Sequence, residues 1–160
     1  TGWGEHEGQW GHFIGYAESI DALEWEKESE PVFLPEADGW DDAVVTQAHV
    51  IADPAGGYHL FYMGQSAADR AFCTQNECAA NYAVGHIGHA YSEDGFTWIR
   101  NPQNPLLSPS EDGWDAWMTY GPTAIIQENT VWLWYFALEE YNVYNAGIGL
   151  AKTSCSPTSP

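Results

Sequence analysis

Basic side chains are scarce. Four Lys and Arg (Lys27, Arg70, Arg100 and Lys152) stand against 23 Asp and Glu in 160 residues, a net charge of −19 with neutral histidines. Phosphate binding needs clustered Lys and Arg to displace counterions, so no nucleic-acid partner is expected. Anionic membrane surfaces are disfavoured for the same reason. Long hydrophobic runs are missing too: the longest, Val131 to Leu138, falls far short of the ~20 residues of a membrane helix. Cysteine is limited to three residues. Cys73 and Cys78 enclose four residues, a spacing that suits a small disulfide loop or two reduced surface thiols, and Cys155 is left over. A zinc site would want a second pair of ligands at metal spacing, which is absent. Neither an initiator Met nor a signal-peptide pattern opens the chain, so Thr1 reads as a processing or cut boundary. The closing residues 154–160, S-C-S-P-T-S-P, suit an extended linker or stalk on a secreted protein. An extracellular location is expected.

What is present points to a folded domain. The chain is 44% hydrophobic and 15% aromatic, too rich for a disordered acidic tail. At this length a domain buries roughly 70% of its unfolded surface.

The most informative feature is an internal repeat. Ile14-Gly15-Tyr16-Ala17-Glu18-Ser19-Ile20-Asp21 returns as Ile87-Gly88-His89-Ala90-Tyr91-Ser92-Glu93-Asp94, at an offset of 73, with Trp25 matching Trp98. Pro31-Val32-Phe33 matches Pro105-Leu106-Leu107, and Asp38-Gly39-Trp40-Asp41 matches Asp112-Gly113-Trp114-Asp115, at an offset of 74. Tyr58 to Met63 matches Val131 to Phe136, and a third start appears at Ile148-Gly149-Leu150-Ala151. Val44 to Ala52 and Tyr58 to Met63 are rich in β-branched and aromatic residues, with hairpin residues Asp53 to Gly57 between them. Thr123 to Gln127 and Val131 to Phe136 repeat the pair. The Ile-Gly-x-Ala strand and a short strand near the Trp follow. No stretch shows sustained 3.6-residue periodicity, so helix should be minimal. These features predict an all-β chain, a β-propeller of four-stranded antiparallel blades with about two blades present, whereas closed propellers typically have about 4–8. Residues 1–12 are expected as a loop or truncated blade, 13–153 as the partial propeller and 154–160 as a Ser/Thr/Pro tail.

The succession of Trp-Asp, a first strand, a Tyr-rich second strand, Ile-Gly-x-Ala-x-Ser-x-Asp-Gly-x-x-Trp and Asn-Pro-Leu-Leu resembles the five-bladed propeller glycosidases, relatives of arabinanases, β-xylosidases, β-fructosidases and mannoside phosphorylases. The resemblance spans residues 13–153. It implies a glycoside hydrolase-like, carbohydrate-active piece of a secreted protein. In that family an Asp at the start of a first strand and a Glu proton donor flank the bond to be cleaved. Here the first strands begin Thr46-Gln47-Ala48-His49 and Tyr120-Gly121-Pro122-Thr123, without that Asp. A non-catalytic sugar-binding or assembly module is therefore the alternative.

Features found in every unit usually serve every unit. Asp41 and Asp115 read as packing or turn residues, and Asp21 and Asp94 as turn formers. Residues that break the repeat are better site candidates. Asp42 and Glu139 are the carboxylates to consider for catalysis, and Gln47, His49, Trp117 and Tyr120 those to consider for binding an oligo- or polysaccharide. His86 and His89, three apart on a strand, face opposite ways and make a poor metal pair. No cofactor is expected, although acidic loops such as Glu111-Asp112 could hold Ca²⁺ through oxygen ligands, without EF-hand spacing. Open strand edges predict self-association or a partner chain that completes the ring.

Overall fold

The computed structural model describes residues 1–75, 84–140 and 146–154, and at 9, 73 and 74 the backbone alone. The chain opens with a hairpin, β1 (Gly2–His6) and β2 (Gln9–Phe13). Glu7 and Gly8, at φ 50° and 79°, supply the left-handed pair that a tight hairpin turn requires. Two short strands follow, β3 (Ala17–Glu18) and β4 (Glu26–Lys27). Next come β5 (Val44–Ala52), β6 (Tyr58–Gln65), helix α1 (Ala67–Gln75), β7 (His86–Ser92) and β8 (Ile99–Arg100). The last group is β9 (Met118–Gln127), β10 (Thr130–Leu138) and β11 (Ala146–Ser154).

Strands β5 to β8 pair antiparallel in sequence order, as one complete unit should. That sheet has six strands rather than four, because β2 joins the β5 edge through one parallel pair, His12 with Val44. The segment 1–12, expected as a loop or truncated blade, thus contains most of a hairpin. β9 to β11 form a three-stranded sheet and β3 with β4 a two-stranded one, and the described residues close no ring. The nearly all-β expectation omitted α1. Ser66 caps it: its hydroxyl accepts from the Asp69 amide at 3.1 Å, while Asp69 accepts from the Ser66 amide at 3.2 Å. This reciprocal cap starts a helix that its hydrophobic pattern alone does not announce.

The repeat is reproduced in hydrogen bonds. Ala17 pairs with Lys27 as Ala90 pairs with Arg100, and Ile14 bridges Phe33 as Ile87 bridges Leu107. The turns match as well. Asp21 accepts from the amides of Leu23 and Glu24, and Asp94 from those of Phe96 and Thr97. The Thr97 and Phe96 amides, with the Ser92 hydroxyl, hold the Asp94 carboxyl down at about 2.

Period-two alternation sends each strand's apolar side chains to two faces. Val45, Leu60, Tyr62 and Ala90 pack on Ile14 and Phe33 of the N-terminal unit, joined by Trp40 and Trp98. Phe61 and Ile87 on the opposite face meet Ala124, Val131 and Leu133. The middle unit is therefore sandwiched between its neighbours. Trp40 lies flat over Gly64 and Gly88; a Cβ on Gly88 would come within 2.6 Å of the indole, so only glycine lets the ring seat. Trp114 lies over Gly147 in the same way.

Candidate functional site

Where the first strands begin, the N-terminal hairpin, Asp42 and α1 meet. A cleft of about 400 Å³ opens there, lined by Trp3, Trp10, Gly11, Phe13, Pro35, Asp42, Ala43 and Arg70. Trp3 and Trp10 project from adjacent strands of the hairpin with ring centroids 6.3 Å apart, and they are 57% and 65% exposed. That exposure is unusual for an indole held in a folded element, and it leaves ring faces open to a ligand. Trp3 also packs on His12 at 4.7 Å. Burial, helped by the charge of Arg70, lowers the His12 pKa and favours neutral imidazole.

Asp42 contributes one oxygen to the helix: its Oδ1 accepts from the Ala67 amide at 2.6 Å. Its carboxylate therefore fixes the start of α1 while lining the cleft. Trp117 lies at the far end of α1, 6.1 Å from Phe72, and packs against the cluster of Val44, Met63, Met118 and Leu138. The Trp117 amide donates to the Leu138 carbonyl at 2.8 Å, which sets Glu139 beside it at the exposed end of β10. No hydrogen bond joins Asp42 to Glu139 among the described residues.

Gln47, which is exposed, and the half-buried His49 and Tyr120 lie along the seam between the first strands. Gln47 sits at φ 51° in a bulge of β5, and its Oε1 accepts from the Gly121 amide at 2.6 Å. His49 donates from Nε2 to the Ala124 carbonyl at 3.0 Å. Tyr120 stacks on Phe136 at 5.6 Å. Gln47 and His49 thus fasten β5 to β9. Cys78 lies outside the described residues, as does the side chain of Cys73. Among the described residues no group of three or more His, Cys, Asp or Glu is placed to hold a metal ion.

Two polar groupings are visible only in three dimensions. Asp41 is fully buried; its Oδ2 accepts from the Tyr62 hydroxyl at 2.9 Å and from Arg100 Nε at 3.1 Å. Burial raises its pKa, opposed by Arg100 and Tyr62. The second grouping is a chain of side chains. Asn101 reaches His89 Nδ1 at 3.4 Å, His89 Nε2 meets His59 Nδ1 at 2.9 Å, and His59 Nε2 meets Asp53 at 3.0 Å. Neutral rings satisfy every link: Asn101 donates to His89, His89 to His59 and His59 to Asp53. Burial first, and then the charge of His59, pushes the His89 pKa down to about 4. The sequence signal for the aromatic cleft was the Trp-rich start of the chain; no spacing rule predicts that it folds back beside Asp42.

The fold is that of the propeller-type glycosidases. Among solved structures, a glycoside hydrolase matches with a TM-score of 0.69 and 24% identity, over 98% of this chain and 40% of the other. A family 117 glycoside hydrolase produced by the marine bacterium Zobellia galactanivorans matches with a TM-score of 0.66 and 20% identity, over 91% and 39%. A thermostable family-43 glycoside hydrolase gives 0.61 and 24%, over 92% and 44%. Two uncharacterized proteins, from two strains of Mycobacterium tuberculosis, are 31% identical over 121 residues, 76% of this chain and 34% of theirs. The chain thus spans about a third of the length of the curated relatives it matches. No protein-family model matches it.

Proposed function

We propose that this chain is a glycoside hydrolase-like, carbohydrate-active unit of a secreted protein, and that it holds an oligo- or polysaccharide in the cleft between the N-terminal hairpin and Asp42. The observation that carries the reading is the pair of exposed indoles, Trp3 and Trp10, facing a cleft that also presents Asp42. Sugar rings present apolar C–H faces to indoles and hydroxyls to carboxylates, so this lining suits a saccharide. The fold shared with glycoside hydrolases supports the same class.

Binding without hydrolysis is the stronger form of the reading for these residues. Asp42 is engaged at a helix start, and the first-strand entry Thr46-Gln47-Ala48-His49 carries no Asp. A glycan array with the wild-type chain and with Trp10→Ala tests the reading. Retention of one glycan class by wild type, lost in the variant at unchanged melting temperature, supports it; equal retention by both overturns it. Hydrolysis of aryl-arabinosides, xylosides, fructosides or mannosides by the chain alone would favour catalysis. An oxidising location would permit a Cys73–Cys78 disulfide, and two alkylatable thiols in unreduced protein would reject that pairing. Association of copies, or with a partner chain, is proposed on the open sheet of β9 to β11.

A further inference from the structure

Two clefts border the hairpin of β1 and β2, and they differ in charge. One, of about 610 Å³, is lined by Glu5, Glu7 and Glu30 with His6, and among the described residues it carries neither Lys nor Arg. The other, which holds Trp3 and Trp10, presents Arg70. The chain has four basic residues. Lys27 lies on β4 opposite Ala17, Arg100 is bound to Asp41, and Lys152 lies 4.1 Å over the Trp132 ring. Arg70 is the one that a ligand between the indoles and Asp42 would meet.

The start of α1 sets Arg70 there. Arg70 stands three residues after Ala67, on the same side of the helix, and the Ala67 amide donates to Asp42 at 2.6 Å. Asp42 and Arg70 are thereby brought to one cleft. The charge of Arg70 is felt at His12, which packs on Trp3 at 4.7 Å, so the cation stands beside the indole wall. Asp42 is offset by the positive end of the helix, to which its Oδ1 is bonded. Asp69, the other carboxylate at this helix start, accepts from the Ser66 hydroxyl at 2.6 Å and faces His86 at 3.8 Å. The lining thus combines stacking faces, a hydroxyl acceptor in Asp42 and the fixed positive charge of a guanidinium.

We propose, resting on the saccharide reading of this cleft, that its ligand is an acidic saccharide, which presents a carboxylate or a sulfate ester to Arg70 while a sugar ring stacks on Trp3 or Trp10. The planar fork of a guanidinium matches either anion with two parallel N–H bonds, and a neutral sugar leaves that charge unused. The cleft lined by Glu5, Glu7 and Glu30 repels the same ligand, so the charge also selects the side of the hairpin on which it binds.

The test uses the full chain and two matched pairs of probes: trigalacturonic acid with its methyl ester, and a sulfated galactotriose with galactotriose itself. Calorimetric titration is expected to show the acidic member of one pair binding at least about tenfold more tightly than its neutral counterpart. The pair that shows the preference tells carboxylate from sulfate. Arg70→Gln should erase the preference at unchanged melting temperature, and Arg70→Lys should keep part of it. Because the neutral probes leave the protein intact, a folding defect in Arg70→Gln cannot obscure the result. Equal affinities within both pairs, or a preference that survives Arg70→Gln, would overturn the proposal. Neutral glycans retained by the chain and lost in Trp10→Ala, with no acidic preference, would reject the acidic ligand and leave the saccharide cleft standing. No retention of any glycan would remove both.

Discussion

Asp41 and Asp115 occupy one repeat position and carry different loads. Asp41 is buried against Arg100 and Tyr62, whereas Asp115 is half-buried and pairs with no cation among the described residues. Asp41→Asn should cost about 2–3 kcal/mol, because it removes the buried charge partner of Arg100, which keeps only the exposed Glu36. Asp115→Ala should cost about 1 kcal/mol or less in the isolated chain. Urea midpoints of the two variants check the contrast, and equal losses would contradict it. His89 makes the second residue-scale prediction. Its folded pKa of about 4 lies below its usual value, so the fold binds the neutral ring. The stability this contributes is fully present above pH ~6.5 and is lost as pH falls through that value toward 4. The raised pKa of Asp41 works in the opposite direction. The test therefore compares wild type with His89→Asn, whose urea midpoint should fall less between pH 7 and pH 5.

At the scale of elements, α1 depends on a residue 25 positions before it. Asp42 accepts from Ala67 and Ser66 caps the same turn, so the helix start is held from two sides. Asp42→Ala should destabilise this end by about 0.5–2 kcal/mol and speed amide exchange in residues 67–70. Unchanged exchange with lost glycan binding would assign Asp42 to the ligand alone. The seated tryptophans make a sharper case. Gly88→Ala puts a methyl into the Trp40 indole, flanked by strands that cannot part, and should cost about 1–3 kcal/mol by overpacking. A shift in melting temperature with unchanged strand content by circular dichroism is the expected outcome.

At the scale of the molecule, the sheet of β9 to β11 packs one face on the middle unit, and no other sheet covers its second face among the described residues. Trp132, Trp134 and Phe136 line that second face with their cross-strand partners Ile125, Leu150 and Ile148, and no acidic residue pairs with them. Their counterparts in the middle unit, including Ile51 and Phe61, lie beneath the last unit. A carboxylate-free apolar face on a chain of net −19 is suited to contact rather than to solvent. The expected outcome is concentration-dependent association. It should strengthen with salt, as the screening length shortens to ~10 Å at 0.1 M. Light scattering that shows a monomer at micromolar concentration across that range would reject it.

The repeat, the strands and the turns were legible in the sequence because each rests on local chemistry. Alternating apolar residues, Asp-centred turns and the Trp-Asp steps recur at nearly constant spacing, and β5 runs over the expected Val44–Ala52. Asp41 was readable as structural from its recurrence alone. Its partner was not, because Arg100 lies 59 residues away and reaches it only when β8 closes the sheet. The same holds for the roles of Gln47 and His49, whose partners, the Gly121 amide and the Ala124 carbonyl, lie on β9. The hairpin that brings Trp3 and Trp10 beside Asp42 is fixed by one parallel pair between His12 and Val44, a long-range contact without a local pattern. Periodicity and turn chemistry therefore determined which strands form. Only the packing of one unit on the next decided which side chains meet, since that depends on contacts between residues distant in the chain.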